Sequence, residues 1–166
     1  ADAIAEARTK KHCAAYANGL CTSAAYWLAS ATGTVYAPLT ATVGSIGVIM
    51  TITNYAKLEE KWGISTVTIT GGQWKAAGQG GELTEEERRY FQERINTLHQ
   101  IFKADVGRHM GLAADPQLWG EAQLRRAQPA RRLGLVPAFA RATPPPRPTP
   151  PWDSQAAHDA PAPRTP

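Results

Sequence analysis

Three short segments hold side chains whose types and order could support acyl transfer. Ser23 opens the run Ser23-Ala24-Ala25-Tyr26-Trp27, Gly44-Ser45-Ile46-Gly47-Val48 follows it, and Lys75 sits in the glycine-rich stretch from Gly71 to Gly81. A serine hydroxyl is a poor nucleophile until a neighbouring base takes its proton. Histidine is the usual base, but none of the four here suits the role. His12 precedes a short apolar run, His99 and His109 fall on a helical pattern, and His158 is in a proline-rich tail. Each reads as a structural or surface residue. Lysine is the other option, and it must be neutral to accept a proton. Its reference pKa near 10.4 has to fall by about three units, at a cost of roughly 4 kcal/mol, and burial in an apolar pocket supplies such a shift. Lys75 lies between Trp74 and Ala76-Ala77, with no acid from Gly71 to Gly81, which suits a desolvated lysine. Lys57, Lys61 and Lys103 lie near Glu or Asp on amphipathic patterns and read as solvated. Two readings stay open for each candidate. Ser23 is either a helix N-cap or a nucleophile whose oxyanion is met by free helix N–H groups; Lys75 is either a surface-loop lysine or the base.

The elements that must position these residues alternate along the chain. Ala1 to Lys10 reads as the end of a helix, Cys13 to Ala17 as a short buried strand, and Asn18-Gly19 as a turn. Ser23 to Ala31 reads as a small-residue helix buried all round, and Val35-Tyr36-Ala37 as a strand stopped by Pro38. Val43 to Thr53 is rich in Val, Ile and Thr and predicts a strand. Asn54 to Lys61 predicts a short amphipathic helix with Tyr55, Leu58 and Trp62 on one side, closed by Gly63. Ser65 to Thr70 alternates and predicts another strand, and Gly71 to Gly81 a loop. Thr84-Glu85-Glu86-Glu87 is a capping box. It opens a long helix with an apolar stripe of Phe91, Ile95, Leu98, Phe102 and Val106. Strands alternating with helices imply an α/β layered domain with a mainly parallel sheet.

Composition sets the outer bounds. A chain of 166 residues holds one domain at most. Eleven of its 13 prolines lie from Pro129 onward, and from Ala140 there is no Val, Ile, Leu or Met. Such a segment cannot bury enough apolar surface to offset its ordering entropy, so 140–166 is expected to be disordered. The net charge of +4 arises from the same end, where seven arginines stand against three acids from Glu121 on. Those arginines have no interleaved stacking aromatics and form no known motif, so no nucleic-acid partner is expected. Cys13 and Cys21 lie eight apart without zinc-ligand or disulfide-framework spacing. No metal, no cofactor and no membrane-spanning segment are expected.

Ser23-Ala24-Ala25-Tyr26-Trp27, Gly44-Ser45-Ile46-Gly47-Val48 and Gly71-Gly72-Gln73-Trp74-Lys75, together with Ala1-Asp2-Ala3-Ile4 and the Leu83-to-Arg88 helix start, resemble the signal peptide peptidase A family of serine peptidases. The Ser-Ala-Ala-Tyr form is similar to the phage branch of capsid-maturation proteases related to phage protein C. The separation of 52 positions between Ser23 and Lys75 is also what the family leads one to expect. The resemblance implies a ClpP/crotonase-like α/β fold, and a ring or dome homo-oligomer in which neighbouring subunits help complete the site. It carries over Ser23 as nucleophile and Lys75 as general base. Ser45, after Gly44, would orient the lysine, and the Ala24 N–H would be an oxyanion donor. The substrate it implies is a peptide or protein: a cleaved signal peptide, or a phage scaffold or capsid protein. The location implied is cytoplasmic or phage-associated, with a membrane-anchored form if an N-terminal segment is missing.

The likeness runs from Ala1 to about Met110, with an echo at Trp119-Gly120 and Leu133-Gly134-Leu135-Val136. Family members carry an upstream strand and a Gly-rich turn, so the segment 1–120 reads as a partial, N-terminally truncated peptidase domain. Residues 121–139 depart from the pattern, with Arg125-Arg126-Ala127-Gln128-Pro129 intervening and Pro137 at an Asp position. They read as a degraded or altered end, consistent with a changed reading frame near residue 124. Two rivals follow. One is a catalytically inactive fragment that retains an assembly role. The other is a crotonase-type acyl-CoA enzyme, which would need a positioned carboxylate that does not follow Gly44.

Overall fold

The structure, a computed structural model, describes residues 1–79, 81–112 and 115–139. The segment 140–166, expected to be disordered, lies outside the described residues. Twelve elements follow one another: α1 (Asp2–Lys10), β1 (Ala15–Tyr16), β2 (Leu20–Thr22), α2 (Ala24–Ser30), β3 (Val35–Ala37), β4 (Thr42–Gly44), α3 (Ala56–Lys61), α4 (Glu85–Met110), a 3-10 turn (Pro116–Leu118), β5 (Leu124–Arg126), α5 (Ala127–Arg132) and β6 (Ala138–Phe139). The strands form two small sheets, ordered β1-β3-β6 and β2-β4-β5. The β1–β3, β3–β6 and β2–β4 pairs are parallel, and β4–β5 is antiparallel. The chain is therefore a mixed helix–strand protein with mostly parallel pairing.

The core forms where α2 and α4 pack beside β3 and β4. Tyr26, Val35, Val43, Ile46, Val106 and Leu135 are buried within it. Trp27 stacks on Phe102 with ring centroids 4.4 Å apart, and its Nε1–H donates to Asp105 at 3.0 Å. Tyr26 is buried, and its hydroxyl donates to the Leu135 carbonyl at 2.8 Å. A buried phenol needs such a partner, because leaving the donor unmade costs about 1–3 kcal/mol. This bond ties α2 to the segment after α5.

Five expectations are corrected. The helix α2 is buried on one side only, since Leu28 is exposed while Tyr26, Ala29 and Ser30 face the core. The strand expected over Val43–Thr53 ends at Gly44, and Ser65–Thr70 forms no strand. Both segments are rich in β-branched residues, but among the described residues no strand pairs with them to complete a ladder. The propensity of such residues reflects packing on a pleated, half-buried surface rather than a backbone preference. On α4 the apolar stripe holds at Phe102 and Val106, yet Leu98 is exposed and the neighbouring His99 is half-buried instead. Lys103, expected to be solvated, has a side chain only 12% exposed. Its stem packs over Gly120 while its ammonium reaches Glu121 at 3.4 Å, the usual compromise for a long cationic chain on an apolar surface.

Candidate active site

Ser23 occupies the junction between β2 and α2. The strand places it there because Cys21 and Thr22 pair with Val43 and Gly44, and the Ser23 N–H continues the ladder to the Gly44 carbonyl at 2.9 Å. The chain then turns sharply, with Ser23 at φ 54° and ψ −129°. Positive φ is uncommon for a residue with a Cβ, and holding one there costs on the order of 1–3 kcal/mol. Ser23 is the N-cap of α2, but its hydroxyl makes no capping bond. Instead it is exposed. Trp27 N–H makes the first helical bond, to the Ser23 carbonyl, so the N–H groups of Ala24 to Tyr26 precede any intrahelical partner. A strained strand-to-helix turn that exposes a serine oxygen is the arrangement that nucleophilic serines use on α/β sheets.

Gly44 and Ser45 lie against this turn. Gly44 is at φ +98° and Ser45 at φ 52°. A Cβ on Gly44 would stand 2.8 Å from the Gln123 carbonyl, and one on Gly47 would stand 2.5 Å from the Ala122 Cβ. Both glycines are therefore required by the close approach of the segment before β5, whatever their chemical role. The Ser45 N–H donates to the Gln123 carbonyl at 2.9 Å, and the Ala122 N–H donates to the Ile46 carbonyl at 3.1 Å. His99 adds a third tie from α4: its Nε2 stands 3.2 Å from the Ile46 carbonyl and 2.7 Å from that of Gly120.

Lys75 is held elsewhere. Its loop docks on the first turns of α4, where Trp74 stacks on Tyr90 at 4.5 Å. There Gln73 Nε2 donates to Glu86 at 3.2 Å and the Gly78 N–H donates to Glu87 at 3.0 Å. Trp27, four residues beyond Ser23, stacks twelve positions further along the same helix, at Phe102. Twelve helical residues span about 18 Å. Within one chain, then, the fold brings together Ser23, Ala24, Gly44 and Ser45 but holds Lys75 on the other half of α4. Lys75 is exposed, not desolvated as its neighbours in sequence suggest: the contacts that dock the loop are made by Gln73, Trp74 and Gly78 on either side of it.

The histidines divide as their chemistry requires. His12 is exposed and His109 is buried. Desolvation by burial, with Arg108 and Arg8 nearby, holds His109 below the usual histidine pKa. His158 lies outside the described residues. Among the described residues no group of three or more His, Cys, Asp or Glu side chains could hold a metal ion. No helix among them is long and apolar enough to cross a membrane. Sequence reasoning missed His99 as a tie to the Ser45 turn. The signal that could have found it is a polar side chain at position 99 on the face that also carries Phe102 and Val106, since a polar group turned inward needs a partner.

Residues 5–142 match the sequence profile of Peptidase family S49. The chain is 34% identical over 144 residues to the capsid assembly protease C of Escherichia phage lambda, covering 86% of this chain and 33% of that protein. It is 33% identical over 137 residues to the head-tail preconnector protein GP5 of Enterobacteria phage P21, covering 82% of this chain and 27% of that protein. A Methanocaldococcus jannaschii protein is 32% identical over 135 residues, with 80% of this chain and 43% of that one covered. The chain spans less than half the length of these relatives. The profile match nevertheless takes in most of the sequence, including residues 121–139, and the chain belongs to Peptidase family S49.

Proposed function

We propose that this chain is a serine endopeptidase unit in which Ser23 is the acylating nucleophile and Lys75 the general base. Lys75 reaches Ser23 from a neighbouring copy in a ring or dome. The observation that carries the reading is the Ser23 turn: a strained strand-to-helix junction at which the serine is exposed and its hydroxyl makes no capping bond. The 18 Å of helix between the two anchors argues for a dyad built between copies rather than within one chain. Ser23 Oγ attacks the scissile carbonyl carbon while Lys75 Nζ takes the hydroxyl proton. The Ala24 N–H donates to the oxyanion. As the C–N bond breaks, Lys75 returns the proton to the leaving amine, and water then hydrolyses the Ser23 ester by the reverse sequence. Ser45, after Gly44, orients the lysine. Contact with a second copy would cover Lys75, which is exposed in the single chain.

The two small sheets with α2 and α4 beside them are taken as part of a ClpP/crotonase-like layered domain. The names of the phage relatives support a phage capsid protein as substrate and a phage-associated location. The test is labelling by a fluorophosphonate across about pH 6 to 10, comparing the parent chain with Ser23→Ala and Lys75→Ala. Labelling that requires both residues, and rises with pH as a single base loses its proton, is the expected result. A folded parent chain that does not label would overturn the reading in favour of a catalytically inactive unit.

A further inference from the structure

We propose that His99 is a positioning residue for the Ser45 turn, its Nε2–H shared between the carbonyls of Ile46 and Gly120. In its bearing on catalysis this rests on the function proposed above. The geometry fixes the tautomer. Both groups facing Nε2 are carbonyl oxygens, at 3.2 and 2.7 Å, and carbonyls only accept, so Nε2 must carry the hydrogen. The bond joins three parts of the molecule that are distant in sequence: the middle of α4, the residue after Ser45, and the Trp119-Gly120 segment.

The Ile46 carbonyl is a junction. It accepts from His99 and from Ala122 N–H, while the preceding N–H, that of Ser45, donates to Gln123. Ile46 itself is fully buried. Between these ties Ser45 is kept at φ 52°, a conformation that persists only where surrounding contacts over-determine it. The segment 120–123 supplies two of the ties, and His99 secures that segment as well, through Gly120. Loss of the imidazole donor frees one bond to Ile46, next to Ser45, and one to Gly120, in the segment against which the turn packs. The turn that carries Ser45 also supplies the Gly44 carbonyl on which the Ser23 N–H rests. Position 99 therefore acts on Ser23 and Ser45 through the backbone and touches neither side chain.

The test compares His99→Ala with His99→Gln, whose amide nitrogen can stand where Nε2 stands. In His99→Ala, amide exchange at Ser45 and Ala122 is expected to quicken roughly five- to tenfold, the loss of about one hydrogen bond, while Val106 in the α4 core keeps its rate. The first-order step of Ser23 labelling should slow by a similar factor, with the concentration for half-saturation unchanged, and His99→Gln should restore both. Unchanged exchange at Ser45 and Ala122 in His99→Ala overturns the proposal, as does quickened exchange with unchanged labelling. A parent chain that never labels sinks the peptidase reading, and the exchange rates still decide whether His99 holds the turn. Nitrogen chemical shifts of the parent imidazole give an independent check. Nε2–H is expected, and the Nδ1–H tautomer overturns the assignment even if His99→Ala fails to fold.

Discussion

At Gly47 the backbone of one segment leaves no room for a side chain on another. An added Cβ would lie 2.5 Å from the Cβ of Ala122, far inside van der Waals contact, and neither atom is the end of a flexible chain. Overpacking of this kind typically costs 1–3 kcal/mol. Gly47→Ala is therefore expected to lower unfolding stability by about 2 kcal/mol, measured as a shift of the urea midpoint at constant slope. Gly47→Ala with Ala122→Gly should recover most of that loss, since the second change removes the atom the first one meets. An uncompensated double variant would mean that Gly47 serves some purpose other than close approach. The same logic separates scaffold from chemistry in the whole Gly44-Ser45-Ile46-Gly47 run. The glycines are explained by packing against 122–123, whereas the exposed Ser23 hydroxyl makes no capping bond and is not explained by structure alone.

Among the elements, α4 organises the molecule, and its first turn is stabilised through a single carboxylate. Glu87 accepts from the backbone N–H of Thr84 and from that of Gly78, and also from the Thr84 hydroxyl, at 3.0 Å each. These bonds favour the charged form and hold its pKa below the usual range, the Thr84 N–H contributing most. A depressed carboxylate contributes stability that is complete above the unfolded pKa, about 4.3. That contribution is lost as pH falls through the folded value. Glu87→Gln removes this titration, so the parent should be the more stable of the two above about pH 4.3 and lose that advantage at lower pH. Denaturation midpoints from about pH 2.5 to 7 would read this out; a difference that does not change with pH would show that Glu87 does not titrate against folding.

The Thr84 capping box, the loop before it and strand β3 were legible in the sequence because each depends on neighbours a few residues away. The segments 45–53 and 65–70 were misread because their side chains state a preference that only a partner strand can satisfy. His99 and Leu98 were exchanged for a simpler reason: at 3.6 residues per turn both lie near the buried stripe, and only the carbonyls of Ile46 and Gly120 decide between them. The positive φ of Ser23 left no mark at all. A serine in that position looks like an ordinary N-cap until the strand beneath it is known.

On the scale of the whole molecule, the exposed segments and the separation of Ser23 from Lys75 along α4 point the same way. Ile49, Trp62, Val67 and Ile69 are 87, 68, 80 and 93% exposed, and they lie in the stretch that separates Ser45 from Lys75. Unpaired β-branched segments with apolar side chains in water are costly to leave uncovered, and a second copy of the chain could cover them while bringing its Lys75 toward Ser23. Such a contact is heterologous, with one face of each copy meeting a different face of the next, and it gives a ring only where the rotation between copies closes. If each site takes Ser23 from one copy and Lys75 from the next, Ser23→Ala and Lys75→Ala chains are separately inactive. When they are unfolded, mixed in equal amounts and refolded together, about one site in four should combine a Lys75→Ala copy, which keeps its serine, with a Ser23→Ala copy, which keeps its lysine. The mixture is then expected to label to about a quarter of the parent level, all of it on the Lys75→Ala chains. Changing Val67 and Ile69 to glutamate in both partners should abolish that recovery by keeping the copies apart. A mixture that stays inactive while assembling normally would mean that each site must draw both residues from one chain, and the loop carrying Lys75 would then have to leave its dock on Tyr90 to reach Ser23.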